Sequence, residues 1–121
     1  MRREERDRAR LWDMLDAARA ISGFVKGRDL ERFLADRMLR NAVERNLEII
    51  GEAARRVSPE TRQELEAIPW RAIIALRNVL AHEYGEIQYD RLWTVCRVEL
   101  PLLIESLDAM GLDGPPDDAC L

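Results

Sequence analysis

A single histidine, His82, stands at the end of an apolar run, with Arg77, Asn78, Glu83 and Tyr84 around it. These are residue types that can cleave RNA without a metal. An imidazole titrates near neutrality, so one histidine can take the proton from a ribose 2′-hydroxyl and a second can give a proton to the leaving 5′-oxygen. A guanidinium can stabilise the charge that develops on the phosphorane. The amide of Asn78 can orient either group. The candidate catalytic residues are therefore Arg77, His82 and Asn78.

Spacing limits what one helix can do with them. At about 100° per residue, Asn78 and His82 lie one turn apart on one face, Arg77 and Tyr84 share another, and Arg77 and His82 are about 140° apart. Helical spacing alone does not stack the guanidinium on the imidazole. Two copies of the helix paired about a two-fold axis would bring two arginines and two histidines to one cleft. A bland reading stands beside this one, because a lone histidine near a helix C-terminus is also what the helix dipole favours. Likewise Tyr84 reads as a half-buried packing residue, and Trp70 and Trp93 as core or interface aromatics. Glu48 and Glu52 read as a solvated face, Glu52 with a minor chance of pointing into the cleft. Other chemistries fit worse. A di-iron bundle needs Glu-x-x-His pairs, and position 79 is Val. There is no glycine-rich phosphate loop and no Ser-His-Asp set, so neither a metal nor a cofactor is expected.

The elements that must position these residues are helical almost throughout, since the apolar period is three to four. Residues 4–25 carry Leu11, Met14, Leu15, Ala18, Ile21 and Val25, and Gly23 and Gly27 mark the end of that helix. Residues 28–57 read as one long second helix with the stripe Leu30, Phe33, Leu34, Met38, Ala42, Val43, Leu47, Ile50, Ala53, Ala54 and Val57. Gly51, Ala53 and Ala54 would let another helix approach it closely. Ser58-Pro59 signals a helix start, with serine as N-cap and proline at the first helical position, and a short helix to about Ala67 follows. A fourth helix is expected from Trp70 to about Tyr84 and a last one from about Tyr89 to Met110. Pro101 lacks the N–H for the Arg97 carbonyl and predicts a kink there. Short links between such helices predict an all-α, antiparallel up-down bundle of four main helices plus a short one. Helices two and five carry surplus apolar surface, which a homodimer interface would use. Residues 1–112 read as one domain and 113–121 as a disordered acidic tail.

Bulk properties narrow the class. The chain has 121 residues and a formal net charge of −4, so it is no general nucleic-acid binder and any RNA contact must be local. All but Lys26 of its nineteen basic residues are arginine. No apolar run spans a membrane, and the charged start lacks the apolar stretch of a signal peptide, so a cytoplasmic location is expected. Cys96 and Cys120 read as unpaired thiols in a reducing compartment.

Arg77-Asn78-x-x-x-His82-x-Tyr84 resembles the R-x4-H-x-Y signature of the HepT family of HEPN ribonuclease toxins. The wider run from Ile68-Pro69-Trp70 to Tyr84, the helix Arg45-Asn46-Leu47-Glu48-Ile49-Ile50-Gly51-Glu52-Ala53-Ala54, and Leu92-Trp93 with Leu100-Pro101-Leu102-Leu103 are similar to that family too, over roughly residues 8–107. The resemblance implies a dimeric helical bundle whose two motifs face each other across a cleft. It implies metal-independent cleavage of RNA, tRNA or mRNA, with Arg77 and His82 catalytic, by the toxin of a type VII-like toxin–antitoxin pair. The implied partner is an MntA-like minimal nucleotidyltransferase that transfers AMP from ATP onto the motif tyrosine, here Tyr84. Added phosphate charge and nucleoside bulk at the cleft mouth would oppose RNA entry. Gly85-Glu86 departs from the apolar or aromatic residue expected after the tyrosine, which bears on loop shape and partner fit. The competing reading is a non-catalytic helical adaptor, or a substrate-binding subunit for a nucleotidyltransferase, in which Arg77 and His82 are structural. The acidic charge balance favours it.

Overall fold

A computed structural model describes residues 2–82, 87–112 and 114. All regular structure among them is helical. The first helix, α1, runs Arg3–Val25 and buries Leu11, Met14, Leu15, Ala18, Ile21 and Val25, the stripe its sequence predicts. Gly27 then takes a positive φ of 74°, a backbone that glycine adopts without steric cost, and the chain turns.

The expected single helix over residues 28–57 is instead two: α2 Leu30–Ala35 and α3 Arg37–Arg55. They part at Asp36, which is extended (φ −108°, ψ 98°), and its Oδ1 accepts the N–H of Leu39 at 3.0 Å. Asp29 caps α2 in the same way, accepting from the N–H of Arg32 at 2.8 Å. An aspartate that can bond nearby backbone N–H groups competes with an unbroken helix, and here it wins. The break re-aims the apolar stripe. Phe33 is fully buried against Trp93 (ring centroids 5.3 Å apart) and Tyr89 (6.4 Å), whereas Met38, expected to be core, is 81% exposed.

Ser58 caps α4, Pro59–Glu64, with Pro59 in its first turn, although this helix ends before the expected Ala67. Helix α5 is Trp70–His82, and residues 83–86 lie outside the described ones. Trp70 is buried, and its indole N–H donates to the carbonyl of Leu65 at 3.1 Å. The expected last helix is α6 Tyr89–Thr94, a π-helical segment Val95–Glu99, and α7 Leu100–Asp108. The N–H of Leu100 reaches back five residues to the Val95 carbonyl, directly before Pro101. The missing proline N–H is thus absorbed by a one-residue change of register. Cys96 is unpaired and buried, and burial pushes its thiol up to about 12. Cys120 and the expected tail, apart from Gly114, lie outside the described residues.

Helix α1 packs against α3 and α7, and α3 packs in turn against α5. Their shared apolar side chains form one core. A buried polar staple ties the first helix to the α3–α4 turn. Asp7, 4% exposed, accepts the Ser58 N–H at 3.0 Å and the hydroxyls of Ser58 and Thr61, with Arg3 3.8 Å away. Desolvation alone would raise the Asp7 carboxyl, but the hydrogen bonds from Ser58 and Thr61 outweigh it and hold it below its ordinary value of 3.8. A depressed folded-state value gives stability that is present above the unfolded value and lost as pH falls through the folded one. Asp7→Ala is therefore expected to destabilise by roughly 1–3 kcal/mol at neutral pH, since it strands buried donors. Urea melts should show the gap from the native chain shrinking below about pH 4. A gap that does not change with pH would refute this account of the staple.

Candidate functional site

The site begins at the contact between α3 and α5. Gly51 of α3 faces Arg77 of α5 so closely that a Cβ on residue 51 would lie 2.1 Å from Arg77 Cβ and 2.7 Å from its Cγ. The glycine is what allows the two helices to touch at the arginine, as the small residues of this stretch suggest. Glu52, the next residue, places its Oε2 3.2 Å from Arg77 Nη2. The pair is at ion-pair distance but outside hydrogen-bond geometry, so Oε2 is buried without a hydrogen bond. The other guanidinium nitrogen, Nη1, donates to Asn78 Oδ1 at 3.1 Å. Arg77 is thereby fixed at its root by packing and at its head by two neighbours, with 23% of its side chain exposed.

Glu52 carries more than this pair. Its Oε1 accepts from Arg55 Nη2 and from Arg56 Nε, each at 3.1 Å. The hydrogen bond from Arg55, then the nearby charges of Arg55, Arg77 and Arg56, hold its carboxyl below the usual range against desolvation. Glu52 is thus half-buried and engaged, not the solvated face its sequence suggests. It is the residue that reading by type and spacing undervalued. The available signal was its place beside Gly51, where a neighbouring helix must come close.

His82 is exposed at the last position of α5 and has no hydrogen bond or ion pair among the described residues. Asn78 is one turn before it on the same helix and is also exposed. Arg77 and Asn78 are therefore brought together, and no hydrogen bond joins His82 to either of them among the described residues. Tyr84, the expected modification site, lies outside the described residues. Trp93 is half-buried, with the Arg97 guanidinium carbon 5.6 Å from its ring centre.

Beside the motif, α5 and the last helical stretch leave an open apolar groove. A cavity of about 280 Å³ there is lined by Ile73, Leu76, Val95, Leu100, Leu102 and Leu103 among others. Leu102 is 62% exposed, and Val98 is 58% exposed on the same helical stretch. No helix of the described structure is long and apolar enough to cross a membrane.

The family described as "Ribonuclease HepT-like" matches residues 14–110. The chain belongs to the HepT-like ribonuclease family. Among its relatives is a protein of Methanocaldococcus jannaschii named "Putative RNase MJ1380", 36% identical over 101 residues, which are 84% of this chain and 93% of the relative. Another is "Probable ribonuclease HepT" of Thermococcus cleftensis, 33% identical over 103 residues, or 85% of this chain and 92% of the relative. No solved structure matches the HepT-like chain significantly. The matched span takes in Gly51, Glu52, Arg77, Asn78 and His82 of this HepT-like ribonuclease.

Proposed function

We propose that this chain is a metal-independent endoribonuclease toxin that cuts RNA, tRNA or mRNA, in a cleft between two copies of itself. The observation that carries the reading is the Arg77 head, anchored by Glu52 and Asn78 on the helix whose exposed end is His82. In the paired arrangement one His82 accepts the 2′-hydroxyl proton, and the 2′-oxygen attacks phosphorus. The P–O5′ bond then breaks as the other His82 protonates the leaving oxygen, leaving a 2′,3′-cyclic phosphate and a 5′-hydroxyl. Arg77 stabilises the equatorial oxygens as charge builds. The open apolar groove beside α5 supports a second copy as its cover, because the motif of one chain is incomplete without its mate.

Regulation belongs to the same proposal. An MntA-like nucleotidyltransferase antitoxin transfers AMP from ATP to the Tyr84 hydroxyl, releasing pyrophosphate, and the added phosphate and nucleoside block the cleft. The alternative, a non-catalytic adaptor for such an enzyme, is favoured by the net charge of −4.

One experiment separates them. The unmodified chain, incubated with tRNA and mRNA in EDTA, is expected to cut RNA. After treatment with an MntA-like nucleotidyltransferase and ATP, intact mass should rise by AMP on Tyr84 and cleavage should stop. No cleavage by the unmodified dimer would favour the adaptor, and a mass gain that persists in Tyr84→Phe would reject the acceptor.

A further inference from the structure

The Glu52 carboxylate gathers three guanidinium groups: Arg55 and Arg56 on Oε1, and Arg77 at Oε2. One carboxylate against three cations leaves a local surplus of positive charge, on a chain whose overall balance is acidic. The side chains of Arg55 and Arg56 are 54% and 53% exposed, so both heads face solvent beside the more sheltered Arg77. Neither is needed to finish the helix. Arg62 already donates to the carbonyls of Ala54, Arg55 and Val57 at the end of α3. Exposed ion pairs three and four residues apart on one helix are weak. A phosphodiester, which an arginine can grip with two parallel bonds, therefore competes well for these two heads.

We propose that Arg55 and Arg56 form a second phosphate subsite next to Arg77, which takes a non-scissile phosphodiester of the bound RNA strand. Glu52 stands in for that phosphate in the free protein and keeps the heads together. The inference rests on the ribonuclease reading and adds to it where the strand lies: along the C-terminal half of α3, away from the exposed end of α5. It also gives an acidic chain a local means of holding a polyanion.

The test uses the full 121-residue chain carrying His82→Ala, so that RNA is bound without being cut. Affinity for a short labelled single-stranded RNA is measured across a salt series. Arg55→Gln with Arg56→Gln is expected to weaken binding about tenfold at low salt and to flatten the log–log salt slope by about 0.7 for each phosphate that is no longer neutralised. Arg55→Lys with Arg56→Lys should keep most of the slope. Arg10→Gln within α1 and Lys26→Gln just after it, together an equal reduction of charge elsewhere, should leave affinity and slope close to the parent. Equal slopes in these two glutamine pairs, from a protein whose His82 form cuts RNA, overturn the subsite alone. A His82 form that neither cuts nor binds RNA overturns the reading beneath it.

Discussion

Replacing His82 with alanine is expected to lower RNA cleavage by about 10²–10⁴-fold, the range for losing a general acid or base. The thermal melt should stay where it is. His82 is exposed, ends α5, and has no hydrogen bond or ion pair among the described residues, so the substitution removes chemistry without removing packing. Arg77 differs. Its Cβ and Cγ fill the space over Gly51, and its head sits beside Glu52 Oε2. Arg77→Ala would remove both and leave a buried carboxylate oxygen further from any cation. Arg77→Lys is the sharper probe, since it keeps a stem and a charge but loses the planar fork. It should retain most of the stability and lose roughly 10²-fold or more in kcat/KM, as when a positioned electrostatic donor is removed. The two readouts are kcat/KM on RNA and a melting curve on the same preparations. A His82→Ala protein with native kcat/KM would refute the catalytic assignment.

The contrast between these two residues shows what the sequence could and could not convey. The type and spacing of Arg77, Asn78 and His82 are local facts, and so are the α1 stripe and the Ser58-Pro59 start; all can be read along the chain. Helical periodicity could not reveal the break at Asp36. The apolar stripe runs through it, and the cap depends on whether the aspartate bonds the Leu39 N–H in place of the helix ladder. Pro101 announced a disturbance in the last helix, but not that a five-residue π segment would absorb it. Glu52 was undervalued because its role depends on another helix. Nothing within α3 says that Arg77, twenty-five positions on, will lie against it. The nearest local hint was Gly51, and a glycine within a helix becomes informative only once the neighbour is known. The relation of one His82 to its counterpart depends on the pairing of chains and is no property of a single chain.

Gly51→Ala turns that dependence into the second large expectation. In an unconstrained helix, alanine for glycine stabilises by about 0.5–1 kcal/mol, because glycine gives up more backbone freedom on folding. At position 51 the new Cβ would sit 2.1 Å from Arg77 Cβ, an atom next to the backbone that no rotamer change can move aside. Either α5 shifts from α3 or Arg77 leaves its place. Overpacking costs about 1–3 kcal/mol, and a backbone-adjacent clash this close belongs in the upper part of that range, so after the propensity gain a net loss of roughly 1–2 kcal/mol remains and Tm falls by roughly 3–12 °C. Gly23→Ala in α1 is the internal comparison, since a Cβ there meets nothing within 4 Å. The same change should therefore have opposite signs at two helical glycines of one protein, destabilising at 51 and neutral to stabilising at 23. Cleavage separates the two ways of relieving the clash. If Arg77 is displaced, activity should fall even at temperatures where the variant remains fully folded by circular dichroism. A Gly51→Ala protein as stable and as active as the native chain would mean that α3 and α5 do not hold Arg77 in the way described.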